Sequence, residues 1–108
     1  MNSNVNNKDN IIKLLRNTLE LTESHTVDIL NAAIILKSNN INCSILQGWK
    51  VNIQKEYNRE AYIYIELYIN SKKYFLDISD DIYISKNITK GVFKKKPSEK
   101  YIASKLMN

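Results

Sequence analysis

The stretch YIYIELYINSKKYFLD, residues 62–77, decides the fold. Extended by one residue at its start, it alternates without error: Ala61, Ile63, Ile65, Leu67 and Ile69 fall on one side, and Tyr62, Tyr64, Glu66, Tyr68 and Asn70 on the other. A period of two over that length is the signature of a strand with one face buried, and the isoleucine-bearing face must be the core. The tyrosine-bearing face is then the outside of a sheet. NSKK (70–73) turns the chain into a second strand, YFLDI (74–78), and DIYISKNI (81–88) adds another short one. Strands joined by connections this short pair antiparallel.

Upstream, INCSILQGWKVNI (41–53) gives one strand, or two broken near Gly48, and KEYNR (55–59) is a polar connection. Before residue 41 the period changes to that of a helix. In DNIIKLLRNTLELTE (9–23), Ile11, Ile12, Leu14, Leu15, Leu19 and Leu21 lie close to one stripe, with Asp9 or Asn10 placed to cap it. SHTVDILNAAIILKSNN (24–40) offers Ser24 or Thr26 as a cap and Asp28 in the first turn, where a carboxylate suits the helix dipole. Its run from Ile29 to Leu36 is apolar nearly all round, which predicts the buried helix of the pair. Asn39 and Asn40 tolerate the left-handed conformation that ends it. Downstream, GVFKKKPSEKYIASKLMN (91–108) carries a basic run, a proline suited to helix entry and a short amphipathic segment. The expected architecture is α+β: two N-terminal helices, an antiparallel sheet and a short C-terminal helical segment. Residues 1–8, polar and Asn-rich, are expected to be a frayed N-terminus, and residues 9–108 a single domain.

Composition bounds the chemistry. Sixteen Lys/Arg against eleven Asp/Glu give a formal charge of +5, which suits anionic partners without requiring them. No apolar run approaches the roughly 20 residues that span a bilayer, and no charged leader precedes a signal-like stretch, so the expectation is a cytoplasmic protein with no membrane role. One cysteine, Cys43, and one histidine, His25, leave no internal disulfide and no soft ligand set, so neither a metal nor another cofactor is expected.

The spacing across these elements resembles the transglutaminase-like superfamily of papain-like cysteine enzymes. NNINCSILQGW (39–49) is similar to that family's loop and strand ending in Gly plus an aromatic, here Gly48-Trp49; YIYIEL (62–67) is similar to its histidine-bearing strand; KKYFLDIS (72–79) is similar to the strand closing on the triad aspartate. The resemblance runs without gaps from His25 to Gly48 and from Tyr62 to Asp77. It implies that His25, or Ser24 or Thr26 in a register slipped by one, stands where the family has its nucleophilic cysteine, that Tyr62 stands at the histidine position, and that only Asp77 retains the family's residue. Thiol catalysis needs a thiolate beside a base that shuttles its proton, and both members of that pair are replaced. The implication is a pseudoenzyme with vestigial positions His25, Tyr62 and Asp77 and no catalytic residue.

A non-enzymatic role follows. A stripe of Tyr62, Tyr64, Glu66 and Tyr68 beside Trp49 supplies the rigid aromatic area that protein interfaces favour. The leading expectation is therefore a module that binds a protein partner through this face, as an adaptor, immunity protein or inhibitor. The alternative is a small basic nucleic-acid-binding protein that uses Lys94, Lys95, Lys96 and Lys100 together with strand aromatics, a reading that Glu66 within the stripe weakens. Cys43, in an apolar strand, reads as a small buried hydrophobe.

Overall fold

A computed structural model describes residues 7–52 and 58–106. In chain order the elements are α1 (Lys8–Thr18), α2 (His25–Ser38), β1 (Cys43–Asn52), β2 (Asn58–Ile69), β3 (Lys72–Ile78), β4 (Ile82–Ser85), β5 (Val92–Phe93) and α3 (Glu99–Leu106). The strands form one antiparallel sheet in the order β4-β3-β2-β1-β5, an α+β fold with the two N-terminal helices and the short C-terminal one expected.

Local chemistry accounts for the element ends. The Asn7 side chain accepts from the Asn10 N–H and caps α1, so the helix opens earlier than Asp9 or Asn10 would place it, with Lys8 as its first residue. Residues 1–6 of that expected tail lie outside the described residues. Ser24 caps α2 by accepting from the Val27 N–H, and Asn40 ends that helix at φ 60°. β1 runs unbroken through Gly48, paired with β2 from Cys43↔Leu67 to Asn52↔Asn58. Asn58 and Arg59, expected in the connection, are thus strand residues. Most of that connection, residues 53–57, lies outside the described residues. Between β2 and β3 the turn is only two residues, Asn70 and Ser71, both with positive φ (52° and 68°). That is the primed geometry that matches strand twist, reached here without glycine.

The core fills the space between the helices and one sheet face. Ile11, Leu15, Ile29, Leu36, Ile65, Leu67, Leu76 and Ile78 are all at most 2% exposed, and Cys43 joins the same cluster. Ala61, expected inside by alternation, is exposed because it lies beyond the helices' cover near the far end of β2. The second helix departs from expectation more clearly. Ile29, Ala32, Ala33 and Leu36 are buried, but Val27, Leu30 and Ile34 on its other side are exposed, Ile34 at 62%. No described element lies over that side, so an all-apolar helix is only half covered.

The outer sheet face also differs from a bare surface. Tyr64 is 3% exposed, its ring 6.0 Å from that of Phe75, and it crowds Gly48 from across the pair. A Cβ at Gly48 would meet the Phe93 carbonyl oxygen at 2.5 Å and the Tyr64 ring at 3.0 Å, so only glycine lets the β5 segment approach β1 this closely. β5, too short to be seen as a periodic strand, is what closes this side.

Candidate functional site

The three positions singled out on β2, β3 and the start of α2 meet in space. The His25 ring lies flat on the Tyr62 ring, with centroids 4.2 Å apart and planes 17° from parallel. The Tyr62 hydroxyl donates to the Asp77 carboxylate, at 2.8 Å from Oδ1 and 2.9 Å from Oδ2. His25 Nε2 is 3.7 Å from Asp77 Oδ1, beyond hydrogen-bond range.

Each side chain arrives for a local reason. The β2–β3 ladder runs from Ile69↔Lys72 to Ile65↔Leu76 and then stops as the strands part. The His25 ring, carried by the first residue of α2, fills the gap. Its Nε2 is 2.8 Å from the Ile63 carbonyl and its Nδ1 3.0 Å from the Ile78 carbonyl, one acceptor on each strand. A neutral imidazole donates to only one of these carbonyls, whereas an imidazolium donates to both. The histidine therefore continues the sheet's hydrogen bonding with a side chain where backbone pairing ends.

Asp77 is the electrostatic centre. It is 6% exposed, a carboxylate out of water that demands donors. It has three: the Tyr62 hydroxyl, the Thr89 hydroxyl at 2.8 Å from Oδ2, and the Ile78 N–H at 2.9 Å from Oδ1. Burial, and then the hydrogen bond and negative charge of Asp77, push the Tyr62 phenol well above the usual tyrosine range, so it stays a proton donor. Lys50 places its ammonium 4.9 Å from the Tyr62 ring centroid. The result is a closed network. The imidazole nitrogens face carbonyls, the phenol is spent on the carboxylate, and the carboxylate is saturated.

A groove opens beside this node. A cavity of about 670 Å³ is lined on one side by Tyr62, Asp77, Thr89 and Lys50, and continues past Tyr83 and Ser85 to Ile82, Ile84 and the α1 residues Lys8, Asp9 and Ile12. A smaller one of about 210 Å³ lies on the histidine side, among Thr22, Glu23, His25, Asp28, Lys50 and Tyr62. Asp28 there accepts from both the N–H and the hydroxyl of Thr22, an internal role in addition to its place at the helix start.

The expected binding stripe is divided by the fold. Tyr62 is tied into the node and Tyr64 is buried, a correction to the view of both as free anchors: the outer face is shielded near β5 and used for the node near β3. Tyr68 is 39% exposed and its hydroxyl donates to Glu66, which also pairs with Lys73 at 3.6 Å. Trp49 is half-buried, with the Lys96 ammonium 5.1 Å from its ring centroid. Lys94 sits over Phe75 in the same manner, at 5.7 Å. Lys94, Lys95 and Lys96 line a cleft of about 400 Å³ with Phe93, Pro97 and Tyr101, and Lys100 is exposed on α3 outside it. Cys43 lies in the core, and burial raises its thiol pKa despite a smaller opposing effect of Lys37. Ser24 and Thr26, the alternatives to His25, are exposed, Ser24 serving as the helix cap.

Reading the sequence missed Thr89, Lys50 and Tyr83. Lys50 was within reach, since it shares the outer face of β1 with Gly48, the partner of Tyr62. Thr89 lies in an irregular segment that carries no periodic signal. Among the described residues no group of three His, Cys, Asp or Glu side chains is gathered as for a metal, and no helix is long and apolar enough to cross a membrane. No protein-family model, no curated protein and no solved structure matches this chain.

Proposed function

We propose that the protein is a non-catalytic, cytoplasmic protein-binding module, a pseudoenzyme of transglutaminase-like type acting as an adaptor, immunity protein or inhibitor. The observation that carries this reading is a closed polar node beside an open groove. The positions that the resemblance assigns to a cysteine–histidine–aspartate set converge, but their atoms are all committed to holding α2, β2, β3 and the Thr89 segment together. Such a node is a rigid support. Tyr83, 51% exposed, lines that groove, and Tyr68, 39% exposed, stands further along β2 beside its turn into β3; both are aromatics suited to partner contact.

The same surface disfavours the nucleic-acid alternative. Base stacking needs open aromatic faces, and the ammonium groups of Lys96 and Lys94 lie over Trp49 and Phe75. The test is capture on tagged protein from nuclease-treated native lysate, comparing wild type with Tyr68→Ala/Tyr83→Ala. Both residues are exposed, so the variant should keep its circular dichroism spectrum. The expected result is a nuclease-resistant protein partner that the variant loses. Recovery of nuclease-sensitive material alone, with binding that falls steeply in salt, would overturn this reading in favour of nucleic acid.

A further inference from the structure

We propose that the open edge of β4 accepts an extended acidic segment of a partner protein, added to the sheet as a sixth strand; this rests on the protein-binding reading and specifies its mode. β4 ends the sheet, pairing with β3 from Phe75↔Ser85 to Ile78↔Ile82, and among the described residues no backbone pairs with its other side. A strand edge in that state presents unpaired N–H and C=O groups, the template that peptide strand addition uses. The 670 Å³ groove locates this edge. Ile82 and Ile84 point to the helix side of the sheet and Tyr83 to the other, yet all three line one cavity, so the cavity must follow the strand's open flank. Its apolar walls for alternate side chains of an incoming strand are Ile12 with the edges of the buried Ile82 and Ile84 below, and the exposed Tyr83 ring above.

Charge decides what occupies it. Two carboxylates line the groove, Asp9 at the start of α1 and Asp77, which accepts from its three donors; nearby, Asp81 is paired with the Arg16 guanidinium at 2.6 Å and Asp80 accepts from the Tyr83 and Ser79 hydroxyls. Lys8 and Lys50 line the groove, and the exposed Lys86 and Lys90 follow directly after β4. A second copy of this chain, with the same +5 charge, is repelled from such a rim, whereas a segment rich in Asp and Glu is drawn to it.

The test uses a random dodecapeptide library displayed on phage and panned on the folded protein. The expected winners alternate β-branched or aromatic residues with Asp or Glu. A synthetic winner, titrated into ¹⁵N-labelled protein, should slow exchange of amides within residues 82–85. Two further versions of that peptide carry N-methyl groups on alternate residues, one set on each edge. Strand addition pairs one peptide edge only, so one version should lose at least about tenfold in affinity while the other keeps most of it. Lys8→Glu, which leaves a favourable charge at a helix start, should weaken binding about twofold to fivefold, and more at low salt. The inference is overturned if no peptide is enriched, if the winners lack an acidic excess, if both N-methylated versions bind equally, or if protection appears away from β4. Self-association through β4, seen as a dimer by light scattering and abolished by Tyr83→Lys, would overturn it as well. Capture of a protein partner that leaves β4 exchange unchanged would retain the module reading and remove this one.

Discussion

Replacing Tyr62 with phenylalanine deletes one hydroxyl group and leaves the ring that stacks on His25. In the native protein that hydroxyl donates to a carboxylate that is 6% exposed, at 2.8 and 2.9 Å from its two oxygens. Hydrogen bonds to charged groups contribute about 1.5–3 kcal/mol, more when the partner is left buried. Asp77 keeps the Thr89 hydroxyl and the Ile78 N–H, so the loss should fall within that range and not exceed it. At roughly 4 °C per kcal/mol for a domain of this size, the melting temperature should drop by about 6–12 °C. Urea unfolding followed by Trp49 fluorescence measures the change, and an unaltered slope would show that the folded state is otherwise intact. The pH dependence adds a second signature. The folded phenol is held above its unfolded value, so the stability linked to its proton is fully present below the unfolded tyrosine pKa of about 10 and is lost as pH rises toward the folded value. The gap between wild type and Tyr62→Phe should therefore narrow above about pH 10. A variant within about 0.5 kcal/mol of wild type at neutral pH would refute the reasoning, because it would mean that Asp77 does not depend on this donor.

Other perturbations probe the same architecture. His25→Phe keeps the stack but withdraws the ring N–H placed between the Ile63 and Ile78 carbonyls, and should cost about 1–3 kcal/mol in the same urea assay. Gly48→Ala puts a methyl against the Phe93 carbonyl and should destabilise by about 1–3 kcal/mol, with NMR shifts concentrated at Val92 and Phe93 as β5 is pushed off. Cys43 should react with a disulfide reagent at least about a hundredfold more slowly in buffer than in denaturing urea, since burial both hides the thiol and raises its pKa.

Much of the fold was legible because hydrophobic periodicity is a local property. The alternation of residues 61–70 determined a strand and its buried face, Ser24 announced the start of α2, and asparagines announced its end. The convergence of His25, Tyr62 and Asp77 lies outside what local periodicity can show, since nothing in their own residue types demands that they touch. What tertiary structure alone decided was exposure on the second face. Alternation states that Tyr62, Tyr64 and Tyr68 share a side; it does not state what covers that side. β5, two residues long and brought in by the close approach at Gly48, seals the region of Tyr64, while the parting of β2 from β3 admits the His25 ring and turns Tyr62 into a ligand of Asp77. The open edge of β4 was equally hidden. A strand's sequence shows that it will pair, but its place at the end of a sheet depends on the order of all five strands, which is set by long-range packing.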